Sequence, residues 1–179
     1  MPISLSENDA VRYRRQLIMP EIGAAGQARI KAATVIVAGL GGLGGLSAWY
    51  MAAAGVGQLK LVDNDRVAVH NLNRQILYAT GDIGRRKAMC ARDRLNALNP
   101  SCRIAAIDKA IGPDTVNEMA SGCDLIIDGS DNFEMRAVLN QAALNLGIPF
   151  IFGGVNGFGG MVAAFTPGKG ACLRCVFPK

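Results

Sequence analysis

Hydrophobic and polar positions fall into blocks whose period changes along the chain. Residues 33–39, ATVIVAG, form a continuous apolar, β-branched run closed by glycine, the pattern of a strand buried on both faces. Residues 43–54 are alanine-rich and helical in pattern, and Gly55 and Gly57 end them. A second strand is predicted over 58–63 (QLKLVD), and a helix over 87–98 closed by Asn99-Pro100. Three further strands are predicted at 103–107, 124–128 and 149–153. Helices are predicted between them at 113–120 and 132–146, the latter opened by an Asp/Asn pair suited to capping. The first 32 residues read as helical, with Val11, Leu17 and Ile18 on one side and Ile22, Ala28 and Ile30 further on. The last apolar block, 159–167, breaks the rhythm and reads as a strand of a small annex, open to antiparallel pairing.

Strands alternating with helices predict an α/β fold: a doubly wound, mainly parallel sheet with right-handed crossovers. The 179 residues fit one domain, divided into N-terminal helices (1–32), a core (33–154) and a truncated C-terminal annex (155–179). Half the residues are apolar, yet no run approaches the ~20 that a membrane helix needs. The polar start MPISLSENDAVRYRRQ lacks a signal peptide's apolar core, so a cytoplasmic protein with no membrane partner is expected. The net charge of +5 arises from short clusters such as Arg12, Arg14 and Arg15 or Arg85, Arg86 and Lys87, not from a basic stripe interleaved with aromatics. No nucleic-acid partner is expected, and an anionic nucleotide or an acidic protein accounts for the sign equally well.

The first strand runs directly into Gly39-Leu40-Gly41-Gly42-Leu43-Gly44, where a helix begins. Glycines there allow a tight turn and close backbone approach to a phosphate, and a helix N-terminus supplies free N–H groups. About twenty residues on, Asp63 ends the second strand, placed to bond a ribose hydroxyl. This Rossmann-like signature indicates an adenine nucleotide, but does not separate NAD, FAD, S-adenosylmethionine and ATP. Beyond it, Asp63-Asn64-Asp65 leads to His70-Asn71-Leu72-Asn73-Arg74-Gln75 and then Lys87, a polar, cationic collar that suits a triphosphate. Asp128-Gly129-Ser130-Asp131-Asn132 lies where the fourth strand gives way to a helix, at the carboxyl edge of the sheet. Asp131 there is a natural magnesium ligand, or else the helix cap.

Taken together, GLGGLG, LVDNDRV, NLNRQ, Lys87 and DGSDN, preceded by RYRRQ, resemble the bacterial branch of the ubiquitin-activating superfamily over 12–175. Members of that branch adenylate ubiquitin-like sulfur carriers in molybdopterin and thiamine biosynthesis. The resemblance implies that ATP binds along the glycine loop at Gly39, Gly41, Gly42 and Gly44, with Asp63 on the ribose and Asp65 nearby. It further implies that Asn71, Arg74 and Gln75 line the phosphate site, with Arg74 and Lys87 on the phosphates. Asp131 would hold Mg2+ beside Asn132, and Arg15 would be a finger donated across a homodimer interface. The partner so implied is a sulfur-carrier protein ending in Gly-Gly. Read without the resemblance, RYRRQ is the solvated face of a basic helix.

Five cysteines without secretory features predict reduced thiols or metal ligands. Cys90, Cys102 and Cys123 are expected to pack as small apolar residues. Cys172 and Cys175 form a C-x-x-C, half of a structural zinc site that needs a second pair outside this chain. The family's second pair, its thiol-forming cysteine segment and its closing helices are absent from this sequence, so either a fragment or a short variant is expected, the abrupt end inside the module favouring the fragment. The annex FGGVNGFGGMVAAFTP reads as a strand pair in close backbone contact, or as a groove for a carrier's tail. Two other functions stay open at this level: an NAD-dependent oxidoreductase, and a non-catalytic nucleotide-binding scaffold of the same fold.

Overall fold

The computed structural model describes residues 4–178, so residues 1–3 and 179 of the predicted terminal segments lie outside the described residues. Three short helices come first: α1 (Glu7–Arg12), α2 (Arg14–Leu17) and α3 (Gly23–Ala32). Strand β1 (Thr34–Ala38) leads to α4 (Gly42–Ala54), β2 (Gln58–Val62), α5 (Lys87–Leu98) and β3 (Arg103–Ile107). Then follow α6 (Val116–Ala120), β4 (Leu125–Asp128), α7 (Phe133–Leu146), β5 (Phe150–Asn156), β6 (Gly159–Phe165) and α8 (Leu173–Val176).

The sheet order is β3-β2-β1-β4-β5-β6. The first five strands are parallel, with Val35 of β1 opposite Leu59 on one side and Leu125 on the other. Successive residues of β1 feed opposite faces: Val35 and Val37 pack with Ala48, Ala52 and Leu95, while Ile36 and Ala38 pack with Leu139 and Phe150. Burial on both faces is why β1 reads as an unbroken apolar run. The chain moves outward in opposite directions from β1 and β4, so the loops leaving their carboxyl ends diverge and open a crevice.

The annex takes the form of β6, an antiparallel strand added to β5 at the edge of the same sheet. One of its glycines lies at a close contact: a Cβ on Gly160 would sit 3.3 Å from the Gly154 carbonyl oxygen.

The N-terminal segment keeps only part of the expected apolar stripe: Leu17, Ile22 and Ala28 are half-buried and Ile30 packs against the core. Val11 is 78% and Ile18 65% exposed, whereas Asp9, Tyr13 and Gln27 are buried. Helices this short bury too little apolar area to dock by a stripe, and polar anchors do the work instead. The Gln16 and Gln27 amides both donate to the Ala54 carbonyl at 2.9 Å. Asn99 donates to the Tyr13 hydroxyl at 2.8 Å and to the Ala52 carbonyl at 2.7 Å. Tyr13 fits because Gly55, which ends α4 at φ +89°, has no side chain; a Cβ there would lie 2.4 Å from the ring. Asp9 pairs with Lys31. Burial alone would raise its pKa, but the Lys31 ammonium and the Ser6 amide and hydroxyl bonds outweigh that and hold it at about 2.

Candidate functional site

The glycine loop divides by role. A Cβ on Gly44 would lie 1.8 Å from the Gly39 carbonyl oxygen, and one on Gly129 would lie 2.5 Å from that same atom. Gly39 itself sits at φ +85°. These three positions let the end of β1, the first turn of α4 and the loop after β4 meet backbone to backbone. Gly41 and Gly42 differ, since their nearest neighbours would be 3.7 Å away, at the Gln75 amide and the Arg74 side chain. Their missing side chains leave space open. No side chain caps α4, so its first-turn amides and positive dipole end meet that space.

Asp63 carries two backbone bonds: Oδ2 accepts from the Leu40 N–H at 2.8 Å and Oδ1 from the Asp65 N–H at 2.8 Å. It fastens the glycine loop to the end of β2 and keeps acceptor capacity for a further donor. Lys87 opens α5 with only 5% exposure, and its Nζ lies 3.0 Å from Asp65 Oδ2. Its backbone N–H donates to the Asp65 carbonyl at 3.0 Å. Arg74 is exposed, its Nη1 donating to the His70 carbonyl and the Asn73 side chain, both at 3.0 Å. Gln75 is buried, and its Oε1 has no hydrogen-bond partner among the described residues.

At the end of β4, Asp128 is buried, with Oδ1 accepting from the Ser130 N–H at 2.9 Å and hydroxyl at 2.6 Å. Burial pushes its carboxyl above the ordinary carboxylate range, against the Ser130 bonds and the charge of Arg136. Asn132 caps α7 by accepting from the Met135 N–H at 2.8 Å. Asp131 is therefore not the cap; it is exposed, and no hydrogen bond or ion pair engages its carboxylate among the described residues.

A cleft of about 670 Å³ brings together Gly39, Gly41, Gly42, Asp63, Asp65, Arg74, Gln75, Lys87, Asp131 and Asn132. Three expected residues lie elsewhere. Gly44 is packed beneath the loop rather than along the cleft. Asn71 is buried and turns inward, its Oδ1 accepting from the Ala68 N–H at 3.0 Å to close the 3-10 turn Val69–Asn71. Arg15 is exposed on α2, whose Gln16 bonds the far end of α4; that end is roughly 20 Å from Gly42 at about 1.5 Å per residue. The cleft also holds residues the sequence reading missed: Lys109, Ile111, Ser130, Met135, Arg136 and Val155. For Arg136 a signal existed, because a cation in the first turn of a helix opposes the helix dipole.

Cys172 and Cys175 lie away from this cleft, with sulfurs 3.7 Å apart at the start of α8. Among the described residues no group of three or more His, Cys, Asp or Glu could hold a metal, so zinc on this pair needs ligands from elsewhere. Cys90, Cys102 and Cys123 are buried thiols, and burial pushes Cys102 up to about 11. No helix of the described residues is long and apolar enough to cross a membrane.

The donor set matches a magnesium nucleotide. Gly41 and Gly42 form a cradle that side chains would fill, beside a buried amide oxygen lacking a partner among the described residues and four cations, Arg74, Lys87, Lys109 and Arg136. One free carboxylate suffices for magnesium, which keeps waters and phosphate oxygens as its other ligands. The residues fit.

A model of the ThiF family matches residues 13–179. A Thermus thermophilus protein named sulfur carrier protein adenylyltransferase is 46% identical over 173 residues, covering 94% of this chain and 64% of the relative. The Mycobacterium tuberculosis protein named probable adenylyltransferase/sulfurtransferase MoeZ is 39% identical, covering 98% of this chain and 46% of the relative. The chain thus spans less than two thirds of either relative's length. Among solved structures, E. coli tRNA N6-threonylcarbamoyladenosine dehydratase, TcdA, in complex with ATP has a TM-score of 0.77 at 30% identity, covering 83% of this chain and 60% of that one. E. coli MccB with AMPCPP and MccA gives 0.84 at 27% identity, covering 94% and 52%.

Proposed function

This chain belongs to the ThiF family, and from that premise we propose that it binds ATP and adenylates the C-terminal carboxylate of a ubiquitin-like sulfur carrier ending in Gly-Gly. The observation that carries the reading is the meeting of a side-chain-free glycine loop, Arg74, buried Lys87 and unengaged Asp131 in one cleft. Relatives named for sulfur-carrier adenylation, and a solved relative holding ATP, support the same assignment.

The carrier carboxylate is ionised at neutral pH and attacks the α-phosphorus of ATP without a general base. An acyl-adenylate forms and pyrophosphate leaves. The chain's work is positioning and charge neutralisation. The α4 amides and the glycine loop bind phosphate oxygens, and Asp63 receives the ribose hydroxyl. Arg74 and Lys87 stabilise charge on the transferring and leaving phosphates, with Lys109 adding positive potential at the rim. Asp131 would hold magnesium, which supplies further neutralisation of the leaving pyrophosphate.

The carrier belongs to the thiamine or molybdopterin type. Arg15 completes the site of a second subunit in a homodimer, a role supported by its position far from its own cleft. The NAD-dependent alternative has no counterpart among the relatives described above.

The test is carrier-dependent ATP–pyrophosphate exchange. Arg74→Ala, Lys87→Ala and Asp131→Ala should each lower it on the order of a hundredfold, the scale of one lost charged contact in a transition state. Wild-type exchange in all three variants removes the mechanism.

A further inference from the structure

We infer that Arg136 is a positioning residue that ties the loop presenting Asp131 to strand β5, and thereby sets the magnesium affinity of the cleft. The inference rests on the reading that Asp131 holds magnesium beside a triphosphate.

Asp131 has no side-chain partner among the described residues, so its place is set by the backbone on either side of it. Behind it, Asn132 is fixed as the cap of α7. Ahead of it, Gly129 N–H donates to the Ala38 carbonyl at 2.8 Å and Ser130 N–H to Asp128 at 2.9 Å. The Ser130 carbonyl is held by a side chain: Arg136 Nη2 donates to it at 3.1 Å. The same nitrogen reaches the Gly153 carbonyl of β5 at 3.4 Å, and Nε lies 3.4 Å from Asp128 Oδ2. The guanidinium also sits 4.9 Å from the centre of the Phe152 ring.

One fork thus joins the end of β4, the 129–132 loop and β5. Glycine at 154 accommodates the Phe152 ring that the guanidinium covers, since a Cβ there would lie 3.2 Å from the ring. A cation so early in α7 gains nothing from the helix dipole, so these contacts account for its position. Removing it frees the Ser130 carbonyl and leaves the buried Asp128 carboxylate without its counter-charge.

The experiment measures ATP binding by the full chain at equilibrium, with magnesium titrated in and with EDTA. Arg136→Ala should raise the magnesium concentration for half-maximal tightening about tenfold, as outer-shell metal-site variants do. Its affinity for ATP in EDTA should fall by a smaller factor than that, because Arg136 lines the cleft but Arg74, Lys87 and Lys109 remain. Arg136→Lys keeps a positive charge, but a single ammonium cannot span both the Asp128 carboxylate and the two carbonyls, and should fall between wild type and alanine. It decides the matter if the alanine variant does not fold. Wild-type magnesium dependence in a folded Arg136 variant overturns the inference while leaving Asp131 as the metal ligand. If Asp131→Ala keeps the wild-type response to magnesium, the underlying reading falls and this inference with it.

Discussion

Asp63 and Leu40 are joined by a 2.8 Å hydrogen bond from the Leu40 amide to the Asp63 carboxylate. The acid at the end of β2 is thus part of the glycine loop's own fastening, as well as a lining residue of the cleft. Asp63→Ala should cost about 1–3 kcal/mol of stability, since it strands a charged hydrogen bond. Asp63→Asn keeps an oxygen for Leu40 and should recover most of that loss in thermal melts. Equal melting temperatures for the two variants would contradict the fastening role.

Gly44 and Gly41 should part company on substitution. Gly44→Ala forces a Cβ to within 1.8 Å of a carbonyl oxygen and should prevent native folding. Gly41→Ala meets its nearest neighbour at 3.7 Å and should fold, with weakened nucleotide binding because the methyl projects toward the phosphate cradle. Circular dichroism with ATP-binding calorimetry separates the two. A well-folded Gly44→Ala protein would refute the packing role.

Lys87 is almost wholly buried against a single, largely exposed partner, Asp65. Burying that charge costs stability which one solvated carboxylate only partly offsets. Lys87→Met should leave the melting temperature unchanged or raised, while ATP affinity drops at least about tenfold through loss of a desolvated contact to phosphate. A strong fall in stability would show that the lysine is structural.

If the site is completed by Arg15 of a second subunit, mixing two inactive variants, Arg15→Ala and Lys87→Ala, should restore exchange. Half of a random pairing is mixed, and each mixed dimer has one intact site, which predicts about a quarter of wild-type activity. No recovery after verified subunit exchange would place Arg15 outside the reaction.

The Asp9–Lys31 pair sets an acid limit. Asp9 titrates at about 2 in the folded chain against an ordinary 3.8, so its contribution is complete above pH 4 and is lost as pH falls toward 2. Replacing Lys31 by methionine should flatten that part of the stability curve, removing on the order of 1–2 kcal/mol at neutral pH. An unchanged slope in chemical denaturation below pH 4 would argue that the pair carries no such weight.

Strands and crossovers were legible because β1 is apolar on both faces and glycine or proline punctuates most turns. The lining of the cleft was legible where it lay next to a strand end, as with the positions of Asp63 and Asp131. What was not legible depended on direction. Asn71 sits in a motif rich in phosphate-site residues, yet its side chain turns back on Ala68. Lys109 lies in a segment with no motif of its own, and only the sheet order carries it to the rim, while Arg136 stood out solely as a cation set against a helix dipole. The N-terminal stripe held only in part, chiefly at Ile30, for another reason: those helices are also fixed by amide bonds to the end of α4, which hydrophobic periodicity does not report.

The contact among Gly39, Gly44 and Gly129 leaves no slack, because main-chain atoms meet there without intervening side chains. A floor of that kind does not yield to its guest. Any adjustment between an empty and a filled cleft must therefore come from its walls, the span bearing Arg74 and the edge hairpin bearing Val155, and variants that stiffen those walls should slow ligand exchange more than they alter the floor's grip.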